Sequence, residues 1–288
     1  MLRTDAKHLI QAAGTHPGMT GKINEDRYSL TSYQLSSSNT TPVTFGVVCD
    51  GIGGHQSGEV AAELAVNIIT DTISNSFGDR PLKTMLLAVQ MANEAIYSKA
   101  QTSDDLRGMG ATCAMVWVEG TRLYTTFLGD SRIYLIRGQM IKQLSIDHTW
   151  IQEALDKGTI TPAQVPNHPN AHVIRRYLGA PVVPEADQRM QLRQGESDIK
   201  AITNQGIILK PDDVILMCTD GLTDYLTPKE LVHFISRHPE DVNLSINEMI
   251  KLACDRGGHD NITVLVLKNP DGSKSKLINR IRKWITPD

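Results

Sequence analysis

The sequence predicts an α+β fold, antiparallel sheet covered by long amphipathic helices, on three observations. Apolar and β-branched runs cluster instead of alternating strictly with helices: residues 112–144 carry three or four in succession, with short turns at Glu119-Gly120 and Arg137-Gly138, which is antiparallel wiring. Two long stretches, 57–77 and 81–100, repeat apolar residues at helical spacing and need a sheet to lie on. Most of the strand-like runs also meet an acidic residue at one end, so the sheets present carboxylates at their rim.

The strand-like runs are 43–48, 112–118, 123–128, 133–136, 214–217 and 262–267. The first long helix aligns Ala61, Leu64, Ala65, Ile68, Ile69 and Thr72 on one face, and the second Leu82, Met85, Leu86, Val89, Asn93, Ile96 and Ala100. Shorter helical patterns cover about 149–157, 228–236 and 244–256, and residues 174–178 read as helix-like.

With 288 residues, 40% hydrophobic and 21% charged, the chain has the composition of an ordinary globule. A formal charge of -3 and a pI near 6.3 provide no general field for nucleic acid. Cys49, Cys113, Cys218 and Cys254 lie far apart among apolar neighbours and are expected to be buried free thiols. The opening MLRTDAKHLIQAAG has no apolar stretch of the signal-peptide kind, and no run reaches 18 apolar residues, so the expected location is cytoplasmic.

The acidic residues carry the chemistry. Asp50, Asp130 and Asp220 end strand-like runs, and Asp260-Asn261 opens the last one. One Asp-Gly is ordinarily a turn. Several carboxylates aimed at one point repel each other unless a hard divalent cation with oxygen coordination neutralises them, which implies Mg2+ or Mn2+. Without Cys/His ligand spacing, a structural zinc site is not expected. The glycine loop after Asp50 fits no other phosphate pattern: Gln56 occupies the third glycine place of a dinucleotide fingerprint, the Walker lysine is absent, and Ile52 stands where an aspartyl-phosphate hydrolase has its second acid.

Eight blocks follow in order: Asn24-Glu25-Asp26-Arg27, Asp50-Gly51-Ile52-Gly53-Gly54-His55, Gly108-Met109-Gly110-Ala111-Thr112, Gly129-Asp130-Ser131-Arg132, Asp147-His148-Thr149, 174–179, Thr219-Asp220-Gly221-Leu222-Thr223-Asp224 and His259-Asp260-Asn261-Ile262-Thr263. In these the chain resembles the metal-dependent serine/threonine protein phosphatases of type 2C, in their compact bacterial form, over about residues 10–267. The resemblance implies a four-layer α-β-β-α sandwich of two antiparallel sheets flanked by helix pairs. It implies hydrolysis of phosphoserine and phosphothreonine by direct attack of a hydroxide bridging two Mn2+ or Mg2+ ions, reversing kinase signalling. Asp50 would bridge the ions, the Gly51 carbonyl would ligate one, and Asp220 and Asp260 the other. Asp26 resembles the residue that holds a metal-bound water, and Asp130 a ligand of a weaker third ion shared with Asp220.

His55 is a candidate proton donor to the leaving oxygen, and equally a loop histidine bound to solvent. Where the family places a phosphate-gripping arginine this chain has Gly21, followed by Lys22, whose point charge replaces the arginine fork only in part. That departure motivates an alternative, a pseudophosphatase that binds phosphoproteins or a regulator with weak turnover.

The domain expected over 1–268 is followed by a basic amphipathic tail, 269–288. Within it, 274–285 align Leu277, Ile278, Ile281, Trp284 and Ile285 against Lys274, Lys276, Arg280, Arg282 and Lys283, for contact with a membrane surface or partner, or for packing back on the domain. Residues 158–169 read as a surface connection, and in the family as the flap that varies with substrate. The partners expected are phosphoserine and phosphothreonine proteins, with a kinase or its substrates among them, and not nucleic acid. The expected state is a monomer.

Overall fold

The computed structural model describes residues 1–53, 57–165, 168–193 and 195–270; His55 and the tail segment 274–285 lie outside them. In chain order the strands are β1 (Leu2–Arg3), β2 (Ile10–His16), β3 (Arg27–Gln34), β4 (Pro42–Cys49), β5 (Gly51–Ile52), β6 (Gly110–Ala111), β7 (Cys113–Glu119), β8 (Arg122–Leu128), β9 (Arg132–Arg137), β10 (Met140–Gln143), β11 (Ile207–Ile208), β12 (Val214–Cys218) and β13 (Ile262–Lys268). The helices are α1 (Ser57–Ser74), α2 (Pro81–Ala100), α3 (Trp150–Asp156), α4 (Asp198–Thr203), α5 (Asp220–Thr223), α6 (Pro228–Arg237) and α7 (Val242–Asp255).

Two antiparallel sheets form, β1-β3-β4-β7-β8-β11 and β10-β9-β12-β13-β2, with β5 and β6 pairing separately. Three apolar clusters show how they stack. Phe45, Val47, Met115 and Trp117 on the first sheet meet Ala61, Ile69, Met85 and Ile96 of α1 and α2. Val48, Val116 and Phe127 on its opposite face meet Ile215, Met217 and Leu265 of the second sheet. Leu216, Cys218, Val264 and Val266, alternating with those, meet Leu231, Ile246 and Met249 of α6 and α7. This is the expected four-layer sandwich. Because both faces of β4, β7, β12 and β13 are covered, these strands read as continuous apolar runs.

Helix starts follow local chemistry. Thr227 and Glu230 make a reciprocal capping box with Pro228 at the first helical position, and Asp241 accepts from the backbone N–H groups of Asn243 and Leu244. Some expectations fail for tertiary reasons. Residues 174–178 are not helical: Ile174 bridges Thr149, Leu178 bridges Ala111, and Asn93 of α2 accepts from the backbone N–H groups of Gly179 and Ala180. Those contacts from three elements override local propensity. α1 stops at Ser74, so Phe77 is exposed. Cys49, Cys113 and Cys218 are buried as expected, but Cys254 is only half-buried, with its Sγ 3.4 Å from His16 Nδ1. Among the described residues, no helix is long and apolar enough to cross a membrane.

Candidate metal centre

Strand ends from both sheets meet at one rim. Asp50 follows β4, Asp130 follows β8 and Asp26 precedes β3, all on the first sheet; Asp220 follows β12 and Asp260 stands just before β13 on the second. Asp26 and Asp130 are buried, Asp50 and Asp220 half-buried and Asp260 exposed.

Asp50 lies within electrostatic reach of the other four carboxylates. Burial, and then the charges of Asp26, Asp220, Asp130 and Asp260, hold the Asp50 carboxyl far above the usual carboxylate range. Burial is also the main cause that pushes Asp26 up to about 7, Asp130 to about 8 and Asp220 to about 6, with neighbouring carboxylates adding to it. No Lys or Arg among the described residues forms a salt bridge with any of the five. Oδ1 atoms of Asp26, Asp130 and Asp220 are buried with no hydrogen-bond partner. Inaccessible, unpaired carboxylate oxygens converging from different strands fit a hard divalent cation.

The remaining motif residues brace this centre. Thr219 Oγ1 donates to Asp26 Oδ2 at 2.9 Å and accepts from the Thr263 N–H at 3.0 Å, tying β12 to β13 and to the segment before β3. Asp50 N–H donates to Thr112 Oγ1 at 2.9 Å, and Thr112 Oγ1 lies 2.7 Å from Ser131 Oγ. Asn261 Oδ1 accepts from Glu25 N–H at 2.7 Å while its Nδ2 donates to the carbonyls of Pro17 and Ile23. Arg27 pairs with Glu59 and donates to the carbonyls of Asn24 and Asp26. At Gly51 an added Cβ would lie 2.2 Å from the Gly58 carbonyl oxygen and 2.9 Å from that of Glu25, so this backbone approach requires glycine.

Lys22 is exposed on the loop before Asp26, and its charge is felt at Glu25. Gly21 beside it has φ 74°, a left-handed conformation, with nothing within 4 Å of where a Cβ would stand. Two residues without an assigned role join the rim: ligating atoms of His172, Asp220 and Asp224 lie within 4.8 Å of one another. Asp224 closes the short helix α5 that Asp220 opens, one turn further on. His172 arrives only through the tertiary path of residues 168–179, where Trp150 stacks on His168 at 4.8 Å.

Comparisons with known proteins match most of the chain. The family model described as "Protein phosphatase 2C" matches residues 13–251. The serine/threonine protein phosphatase PstP of Mycobacterium tuberculosis is 34% identical over 219 residues, 76% of this chain, although the chain spans only 39% of that protein's length. The serine/threonine phosphatase stp of Listeria monocytogenes is 29% identical over 226 residues, covering 77% of this chain and 83% of the relative. Among solved structures, the S. agalactiae serine/threonine phosphatase superposes with a TM-score of 0.77 at 25% identity, covering 90% of this chain and 98% of its own. The catalytic domain of PstP in complex with 2 manganese ions gives a TM-score of 0.71 at 30% identity, covering 91% and 99%.

Proposed function

The chain belongs to the protein phosphatase 2C family, and from that membership we propose that it is a metal-dependent protein serine/threonine phosphatase acting on phosphoserine and phosphothreonine in the cytoplasm, opposite a kinase. The observation that carries this reading is the set of buried, unpartnered carboxylate oxygens on Asp26, Asp130 and Asp220, with which no Lys or Arg among the described residues forms a salt bridge.

Asp50, the Gly51 carbonyl, Asp220 and Asp260 are the proposed holders of two Mn2+ or Mg2+ ions, with Asp130 and Asp220 sharing a weaker third. When bound, such ions acidify water and neutralise the nonbridging phosphoryl oxygens. Asp26, anchored through Oδ2 to Thr219, has Oδ1 left to orient a water molecule. Lys22 supplies a positive charge for the substrate phosphate, weaker than an arginine fork because it is a single exposed ammonium. His55, outside the described residues, is the proposed proton donor to the leaving oxygen.

A binding module with weak turnover is not favoured, since a binder has no physical need for five mutually repelling carboxylates. The tail segment 274–285 is proposed to contact a membrane surface or a partner, and the chain to act as a monomer. The deciding experiment is hydrolysis of p-nitrophenyl phosphate with and without Mn2+, by wild type and Asp220→Ala. Metal-dependent turnover lost in the variant is expected; equal, metal-independent rates would refute the assignment.

A further inference from the structure

His148 is buried just before α3, its ring stacked on Phe127 with centroids 5.5 Å apart. Two hydrogen bonds join it to a single glycine. Its backbone N–H donates to the Gly129 carbonyl at 2.9 Å, and the Gly129 N–H donates to its Nδ1 at 3.1 Å. A ring nitrogen that accepts an N–H carries no proton, so the imidazole proton resides on Nε2. Nε2 lies 3.3 Å from Asp187 Oδ2, which is therefore its acceptor.

Asp187 is buried too, and Arg189 grips it through the backbone N–H, Nε and Nη2. That guanidinium already balances the carboxylate, so the imidazole is not needed as a cation. Arg189 Nη1 continues to Asp198 at 2.9 Å, at the exposed start of α4. At the other end, Gly129 takes φ 91° and leads directly into Asp130.

We infer that His148, held by Asp187 as the neutral Nε2–H tautomer, is a positioning residue that fixes the Gly129–Asp130 turn and so presents the Asp130 carboxylate to a cation. The inference rests on the phosphatase reading only in taking Asp130 as a ligand. Partners that orient a ligand without touching the metal typically govern affinity by roughly 10- to 100-fold.

Three measurements test it. Nitrogen-15 imidazole NMR of the wild type should show His148 protonated on Nε2 and bare on Nδ1; a proton on Nδ1 overturns the inference. His148→Phe retains an aromatic ring for stacking but removes both ring hydrogen bonds, and should raise the Mn2+ concentration for half-maximal turnover roughly 10- to 100-fold while leaving the KM for p-nitrophenyl phosphate nearly unchanged. His148→Asn, whose Oδ1 can replace Nδ1 as acceptor, should recover most of that loss. A Phe variant with wild-type Mn2+ dependence refutes the positioning role. If that variant does not fold, the wild-type tautomer still decides. A wild type without Mn2+-dependent turnover sinks the phosphatase reading, whereas an active wild type beside an indifferent Phe variant sinks this inference alone.

Discussion

Two groups of buried and half-buried carboxylates in this molecule are treated in opposite ways. Asp213 receives Arg137 through Nε at 2.8 Å and Nη2 at 2.6 Å, and the Lys210 N–H at 2.7 Å; Asp147 is gripped by Arg132 and Gln143, and Asp187 by Arg189 and His148. At the rim, Asp26, Asp130 and Asp220 each keep a buried oxygen without a partner. The residue type is the same and the burial similar. Charges matched within the chain hold the fold together; charges left unmatched are a demand placed on an external cation.

The sharpest way to break this contrast is to remove one charge from each group. Asp50→Asn should lower Mn2+-dependent turnover at least about 1,000-fold, or about 4 kcal/mol, while the metal-free melting temperature holds or rises because repulsion is relieved. A fall in metal-free stability would mean that Asp50 belongs with the structural group. Asp213→Ala should do the reverse. Stranding Arg137 should cost about 3 kcal/mol in a denaturant titration, at the low end for a buried pair because Arg137 is 35% exposed. Turnover per folded molecule should stay at the wild-type level.

Metal and pH provide the next test. Mn2+ at 100 times its dissociation constant should stabilise the fold by about 2.7 kcal/mol. The rim groups, with Asp26 pushed up to about 7, Asp130 to about 8 and Asp220 to about 6, all lie above the ordinary aspartate range. Their folded values are raised, so the metal-free fold binds more protons than the unfolded chain, and their stabilising contribution is lost as pH rises from about 4 to about 8. Asp187 has the opposite sign. Burial would raise it, but hydrogen bonds from His148 and Arg189 hold it well below the usual range, so its contribution is present above its unfolded value and lost only on acidification. Melting curves of metal-free protein should therefore fall between pH 5 and 8, and added Mn2+ should restore most at the alkaline end. A metal-free curve that rises across this window would contradict the rim assignment.

The smallest effects concern the substrate phosphate. Lys22→Ala should raise the KM for p-nitrophenyl phosphate by a factor of about 2 to 5, which is about 1 kcal/mol or less for an exposed charge. An unchanged value removes Lys22 from the site. Gly21→Arg has room for its side chain but should cost about 1 kcal/mol in stability because of the left-handed backbone.

Most of the central strands and both long helices were legible because those strands are apolar on both faces and α2 begins at a proline, whereas their stacking into four layers was implied by the family resemblance. The longest strands that escaped notice, β2 (IQAAGTH) and β3 (RYSLTSYQ), are polar or small in sequence and owe their form to pairing with β13 and β4. At the site, Asp50, Asp130, Asp220 and Asp260 were visible from their places at strand ends, whereas Asp26, just before the unpredicted β3, came only from the family resemblance. His148 stood inside a quoted block, but its partner Asp187 lies 39 residues away, and no local pattern links a buried histidine to a carboxylate at that separation. His172 was hidden for the same reason, since it reaches Asp220 only once the segment around it has folded.

The rim draws Asp26, Asp50 and Asp130 from one sheet and Asp220 and Asp260 from the other. A cation held by the proposed ligands would join the two layers at this rim. Opening that edge would then require the ion to leave first, so the lifetime of the closed sandwich would follow the rate of metal release, and an ion recruited for chemistry would also clock the mechanical endurance of the fold.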